Sequence, residues 1–179
     1  MLQMLATQLI GEFNKIKENE WQHIEDVSRT LSNTIIGDGN IYWYGNKEMK
    51  GLLAEIVEGA EPFPDSKAYD PNETDLSELD RLVIATRFSD DTEILPYIKK
   101  AQATGAEVIV LCAVKSTEDE IIQQANFYVD TKLTESLIPM DNGRIGFPSL
   151  LTMLFVYYGI YLTTQDILSD FEGPLPTMM

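Results

Sequence analysis

The sequence predicts an α/β protein: a flavodoxin-like, three-layer αβα sandwich on a five-stranded parallel sheet ordered 2-1-3-4-5. Two helices are expected before the sheet and one long helix after it. Three stretches carry this expectation. Ile41-Tyr42-Trp43-Tyr44 is an uninterrupted apolar and aromatic run that ends in Gly45 and passes into a helical pattern. Residues 81–112 read strand, helix, strand within about thirty residues, which makes a βαβ unit with a right-handed crossover. At both ends of the chain, apolar residues fall three or four apart.

Leu2, Leu5, Leu9, Phe13 and Ile16 mark the first helix, which should end near residues 18–20. Trp21, Ile24, Val27, Leu31 and Ile35 mark a second, broken by Gly37-Asp38-Gly39-Asn40, residues suited to a tight turn. Tyr42, Trp43 and Tyr44 then favour a strand covered on both faces, as strands of parallel sheets are. Gly45 supplies backbone freedom for the turn that follows, and from Lys47 onward Leu52, Leu53, Ile56 and Val57 repeat at helical spacing. Such a turn either opens an anion site on the N–H groups of the helix start or merely ends the strand.

Glu61-Pro62-Phe63-Pro64 is too rich in proline for more than a short edge strand. Residues 65–80 are acidic and turn-rich, and read as a surface loop, either a mobile lid or a solvated connection. Arg81-Leu82-Val83-Ile84-Ala85-Thr86 is a buried strand. Ser89 or Asp90 is placed to cap the next helix, with Glu93 as the acidic half of a capping box; that helix should stop at Gly105. A strand over 106–112, a short helix over 116–124 and a strand over 127–130 follow, while 131–145 carries no decisive pattern. From Pro148 a long apolar helix runs through Leu162, interrupted by Thr152 and Gly159 and shorter than the ~20 apolar residues of a bilayer span. The whole chain reads as one domain: a helical hairpin over 1–36, an α/β core over 41–165, and a tail over 166–179 that includes Glu172-Gly173-Pro174-Leu175-Pro176.

With 13 basic against 29 acidic residues, the net charge is −16, which opposes nucleic acids and anionic membranes as partners. One cysteine, Cys112, permits no internal disulfide, and one Cys with one His offers no zinc spacing, so neither a metal nor another cofactor is expected. Met1-Leu2-Gln3-Met4 opens no secretory signal, so the expected location is the cytoplasm and the Asn72-Glu73-Thr74 sequon is fortuitous.

In a sheet of this order ligands sit beyond the carboxyl ends of the strands, where strand order reverses. That rule selects two loops: Gly45, Asn46, Lys47, Glu48, Met49 and Lys50, and Thr86, Arg87, Phe88, Ser89, Asp90, Asp91 and Thr92. At these loops the chain resembles the sugar isomerase (SIS) domains, most nearly the phosphoheptose isomerase branch. The strand into Gly45-Asn46 is similar to that family's strand ending in a Gly-Asn-Gly-Gly-Ser turn. Residues 80–111 are similar to its strand, Ser-x-Ser-Gly-Asn-Ser/Thr loop, helix and Gly-Ala-x-Val-Ile strand. The resemblance implies a phosphorylated sugar as ligand and an aldose/ketose isomerase activity, or a relative that binds without turnover. The alternative is a structural or regulatory module that acts through its dimer surface.

The match is incomplete in its chemistry. Lys47, Glu48 and Met49 replace the family's two small glycines and phosphate-binding serine. Thr86 and Phe88 stand for two further serines, Ser89 for a glycine, and Asp90-Asp91 for Asn-Ser/Thr. Met49 and Phe88 thus remove two hydroxyls, and Asp90, Asp91 and Glu93 would repel a phosphate, whereas Lys47, Lys50 and Arg87 could donate to one. Where the resemblance places an active-site histidine and glutamate, the chain has Glu55 and Gly59. Glu55 is the one candidate base, conditional on a raised pKa. The only imidazole, His23, reads as a surface or interface residue. Asp90 with Asp91 forms either a helix cap or a pair of cation ligands. Cys112 reads as a small core residue. SIS domains commonly dimerise, and the aromatic residues Phe155, Tyr157, Tyr158 and Tyr161 spread around the last helix, so at least a homodimer is expected.

Overall fold

Strands whose residues are apolar on both sides need cover on both sides, and the computed structural model, which describes residues 1–172, provides it. The parallel sheet is built from β1 (Ile41–Gly45), β2 (Ser66–Ala68), β3 (Arg81–Phe88), β4 (Glu107–Ala113) and β5 (Phe127–Asp130). Its order is β2-β1-β3-β4-β5, as the sequence predicts. Ile41 pairs with Arg81 and Gly45 with Ala85, while Arg81 pairs with Glu107 and Ile109 with Phe127.

Alternation along the strands sorts the core into two clusters. Ile41, Trp43, Val83, Ala85, Ile109, Leu111 and Val129 face α2 (Trp21–Ile36), α3 (Lys50–Glu58) and α6 (Ser149–Glu172). Leu82, Ile84, Val108, Val110 and Cys112 face α4 (Leu95–Ala103) and α5 (Glu120–Gln124). Each such buried aliphatic side chain stabilises the fold by roughly 1.5–3 kcal/mol. Cys112 is fully enclosed in β4, where burial raises its thiol pKa. The leading helix α1 (Leu2–Asn19) contributes Ile16 to the first cluster. Ser28 and Ser32, small and fully buried on α2, let α2 and α6 approach closely, and Gly159 leaves only enough room for Ile24.

Several boundaries move from their expected places, each for a physical reason. The edge strand lies at β2, inside the segment expected to be loop, and not at residues 61–64. It is held by pairing with Ile41–Trp43 and by the Trp43 Nε1–H, which donates to Ser66 Oγ at 2.9 Å. The rest of that acidic loop is tied down by buried Asp80, which accepts from the N–H groups of Asn40 and Ser77, each at 2.8 Å. β3 extends two residues past Thr86 because Phe88 still pairs with Ala113 beyond an irregularity in register. Residues 131–145 contain a small antiparallel ribbon, β6 (Ile138–Met140) with β7 (Gly143–Ile145). Gly105, at φ +85, ends α4 as expected. Finally, α6 continues through residues 166–172, which were expected to be tail. Ile160, Thr164, Ile167 and Leu168 keep the helical spacing of buried and half-buried positions. The remainder of the expected tail, 173–179, lies outside the described residues. Among the described residues no helix is long and apolar enough to cross a membrane.

Candidate functional site

The two predicted loops do meet at the carboxyl ends of β1 and β3. Gly45 is required there by crowding: a Cβ would lie 2.3 Å from the Met49 carbonyl oxygen. The unusual backbone falls instead on Lys47, at φ +52, which begins a single turn of 3₁₀ helix (Lys47–Met49) ahead of α3. That conformation costs about 1 kcal/mol for a residue with a Cβ. It points the Lys47 ammonium at the second loop, 3.0 Å from Asp91 Oδ1 and 2.9 Å from Glu93 Oε1.

The polar groups of this lip close on one another. Asn46, buried, donates through Nδ2 to Glu93 Oε1 at 2.7 Å and to Thr86 Oγ1 at 3.2 Å. Thr86, fully buried, donates to Asp91 Oδ2 at 2.7 Å, and the Phe88 N–H donates to the same oxygen at 3.1 Å. Burial opposes the charge on Asp91, but Thr86, Lys47 and the Phe88 N–H together hold its carboxyl below the ordinary aspartate range. The expected capping box therefore does not form. A 3₁₀ turn (Thr92–Ile94) precedes α4, neither start has a side-chain cap, and Glu93 serves the other loop. Ser89, fully buried, donates to Asp119 and accepts the Lys115 N–H at 2.8 Å, so it anchors the turn after β4. Asp90 pairs with Lys115 at 2.9 Å, so the two adjacent aspartates serve separate partners instead of forming one cation site. Met49 belongs to the core, while Lys50 and Thr92 are exposed.

On the other side of Arg87 the site is open. Arg87 grips Glu48 with two parallel bonds of 2.7 Å, Nε to Oε1 and Nη2 to Oε2, and Ser149 Oγ donates to Glu48 Oε1 at 2.8 Å. The guanidinium is the main cause that brings the Glu48 carboxyl down to about 2. Beside this pair lies a cavity of about 490 Å³ lined by Glu48, Arg87, Phe88, Ser136, Phe147 and Ser149. Phe88 and Phe147 meet edge to face with centroids 5.6 Å apart, and the Lys115 ammonium sits 4.0 Å from the centre of the Phe88 ring.

Sequence reasoning names three of these lining residues, Glu48, Arg87 and Phe88, and misses Ser136, Phe147 and Ser149. Pro148-Ser149 at the start of the last helix was the available signal, since a helix beginning beside the crevice aims its first hydroxyl there. Nothing local marks Ser136 or Phe147. Glu55 sits elsewhere: it accepts from the Tyr158 hydroxyl at 2.6 Å, across the α3–α6 contact, and lines no part of the cavity. His23 lies beside β5, with Nδ1 2.7 Å from Glu20 Oε2 and its ring 5.2 Å from that of Tyr128, far along the sheet from β1. The cavity's own carboxylate, Glu48, is too acidic to take a proton near neutrality.

Comparison with solved structures gives the fold a name. Over 96% of this chain and 93% of the other, it superposes with TM-score 0.66 and 12% identity on E. coli CFT073 c3406, solved as a complex. A phosphoheptose isomerase from Francisella tularensis matches with TM-score 0.59 and 15% identity, over 92% of this chain and 94% of the other. The fold is thus that of the SIS domains, as the resemblance of the two loops implies. At the level of sequence, "Uncharacterized protein YwjG" of Bacillus subtilis (strain 168) is 34% identical over 172 residues, 96% of this chain and 99% of the relative. A family model described as "Domain of unknown function (DUF2529)" matches residues 1–168. The chain therefore belongs to the DUF2529 family, on an SIS fold.

Proposed function

We propose that the protein binds a phosphorylated sugar or a close carbohydrate derivative in the cavity beside Arg87, and that it binds without isomerising. The observation that carries this reading is the composition of the cavity within an SIS fold. One guanidinium and the Ser136 hydroxyl offer donors, the Ser149 oxygen and one carboxylate can accept, and an aromatic pair forms an apolar wall for a sugar's C–H face. Arg87 Nη1 makes no protein hydrogen bond among the described residues, so the guanidinium can take a ligand oxygen without releasing Glu48. Isomerisation next to a carbonyl needs a base that titrates near neutrality. Glu48 is far below that range, and Glu55 is occupied by Tyr158 outside the cavity. A panel of hexose and heptose phosphates should raise the melting temperature of the folded protein. No shift with any of them at millimolar concentration would remove the reading.

The second reading, a structural or regulatory module without a sugar ligand, is favoured by the lip: Lys47 and Arg87 already hold carboxylates of their own chain. Absence of any phosphosugar shift would move the balance to it.

The protein also forms a homodimer in this reading, in the cytoplasm, through α1 and α6. Phe13 stacks on Phe155 at 4.4 Å, and Leu2, Ile10, Leu151 and Leu162 stand exposed on the same two helices. Exposed apolar area of this kind usually marks an interface. Light scattering should give twice the chain mass of 20.2 kDa; a mass of one chain, unchanged by dilution, would exclude the dimer.

A further inference from the structure

Asp91 is bound as a ligand would be. Three donors from two loops converge on its carboxylate: Thr86 Oγ1 at 2.7 Å, the Phe88 N–H at 3.1 Å and Lys47 Nζ at 3.0 Å. Only 12% of its side chain remains exposed, and the Thr86 hydroxyl that serves it is fully buried. Two of the donors belong to the end of β3 itself, so they face this position whether or not a carboxylate fills it. Hydroxyl, backbone N–H and ammonium together form the donor set that recognises a tetrahedral oxyanion.

We propose that Asp91 is a specificity-determining residue. Its carboxylate is the crevice's own anion, which keeps free inorganic anions off the donors at the end of β3. A carboxylate tethered three residues from the Phe88 N–H and five from Thr86 has an effective concentration that a free anion at millimolar levels does not reach. Glu93 adds to the exclusion by sharing Lys47 and holding the Asn46 amide. Only a ligand that gains further contacts in the cavity beside Arg87 can compete for these donors. The inference rests on the carbohydrate-derivative reading, and it says which part of such a ligand must supply the affinity.

Titration of the full-length protein with inorganic phosphate, followed by calorimetry, tests this without any sugar. The wild type should show no saturable binding up to about 10 mM, and Asp91→Ser should bind phosphate at least about tenfold more tightly. Adding Thr86→Val to Asp91→Ser should abolish the gain. If the serine variant does not fold, Asp91→Ala decides, because it likewise takes the side-chain acceptor off the Thr86 hydroxyl and the Phe88 N–H. Wild-type affinity equal to that of a folded variant overturns the proposal, and so does a gain that survives Thr86→Val. Failure of the sugar reading is a separate result, seen as wild-type protein that no phosphosugar stabilises.

Discussion

On one side of Arg87 the polar groups satisfy one another, and on the other they surround open space. The lip made by Asn46, Lys47, Thr86, Asp91 and Glu93 joins two loops through side chains about forty residues apart in sequence. The cavity made by Glu48, Arg87, Ser149, Ser136, Phe88 and Phe147 uses an equally tight ion pair but leaves an edge of the guanidinium and two hydroxyls beside a void. Both regions sit at the same strand ends and carry similar residue types. What separates them is whether the acceptors of the chain use up its donors. A charged residue near a crevice is therefore no evidence of a ligand until its partners are known.

The largest expected effect comes from Arg87→Ala, which removes the cation that stands between the two regions. It should weaken phosphosugar binding about a hundredfold, roughly 2–3 kcal/mol, the range for charge-assisted hydrogen bonds. His23→Ala should leave that affinity unchanged, because His23 lies beside β5. Equal losses in the two variants, measured by thermal shift against ligand concentration, would break the assignment of the site.

Thr86→Val acts on the lip alone. Its hydroxyl is buried between Asn46 and Asp91, and an isosteric methyl leaves both short of a partner. The expected loss of stability is about 1–3 kcal/mol, read from urea unfolding. A change within error would mean that the lip is not the closed network described above.

The smallest effect distinguishes the Glu48–Arg87 pair by pH. Glu48 has a folded-state pKa of about 2 against an ordinary value of 4.5. The unfolded chain binds this proton more readily, so the contribution is full above pH 4.5 and is lost as the pH falls towards 2. After allowance for its partial exposure, this contribution is about 1 kcal/mol. Glu48→Gln should flatten the acid limb of stability by that amount in circular-dichroism melts between pH 5 and 2.5; an unchanged slope would show the pair to be loose in solution.

Much of the fold is legible because its signals are local. β1, β3, β4 and β5 are dense in Val, Ile, Leu and aromatics, since both faces are covered, and that density survives without knowledge of neighbours. Ser66-Lys67-Ala68 carries no such density, because an edge strand of three residues owes its shape to the pairing with β1. Gly143-Arg144-Ile145, exposed throughout, is defined only by its ribbon partner. In the site, the position of the two loops follows from strand order, so the two predicted loops meet at the strand ends. Their roles do not follow, because Lys47 with Asp91, Asn46 with Glu93 and Ser149 with Glu48 are pairs between distant segments. Ser89 and Asp90 likewise look like caps in sequence and become anchors for the turn after β4.

The enclosure of Cys112 makes the chain's single thiol a clock. It lies near the carboxyl end of β4, fully buried in the cluster shared by α4 and α5, with its pKa raised by burial, so the native molecule offers neither access nor thiolate. A thiol reagent can react only with molecules whose sheet has opened on that face. The rate of labelling therefore reports the population of the opened state under native conditions, without denaturant and without an engineered probe.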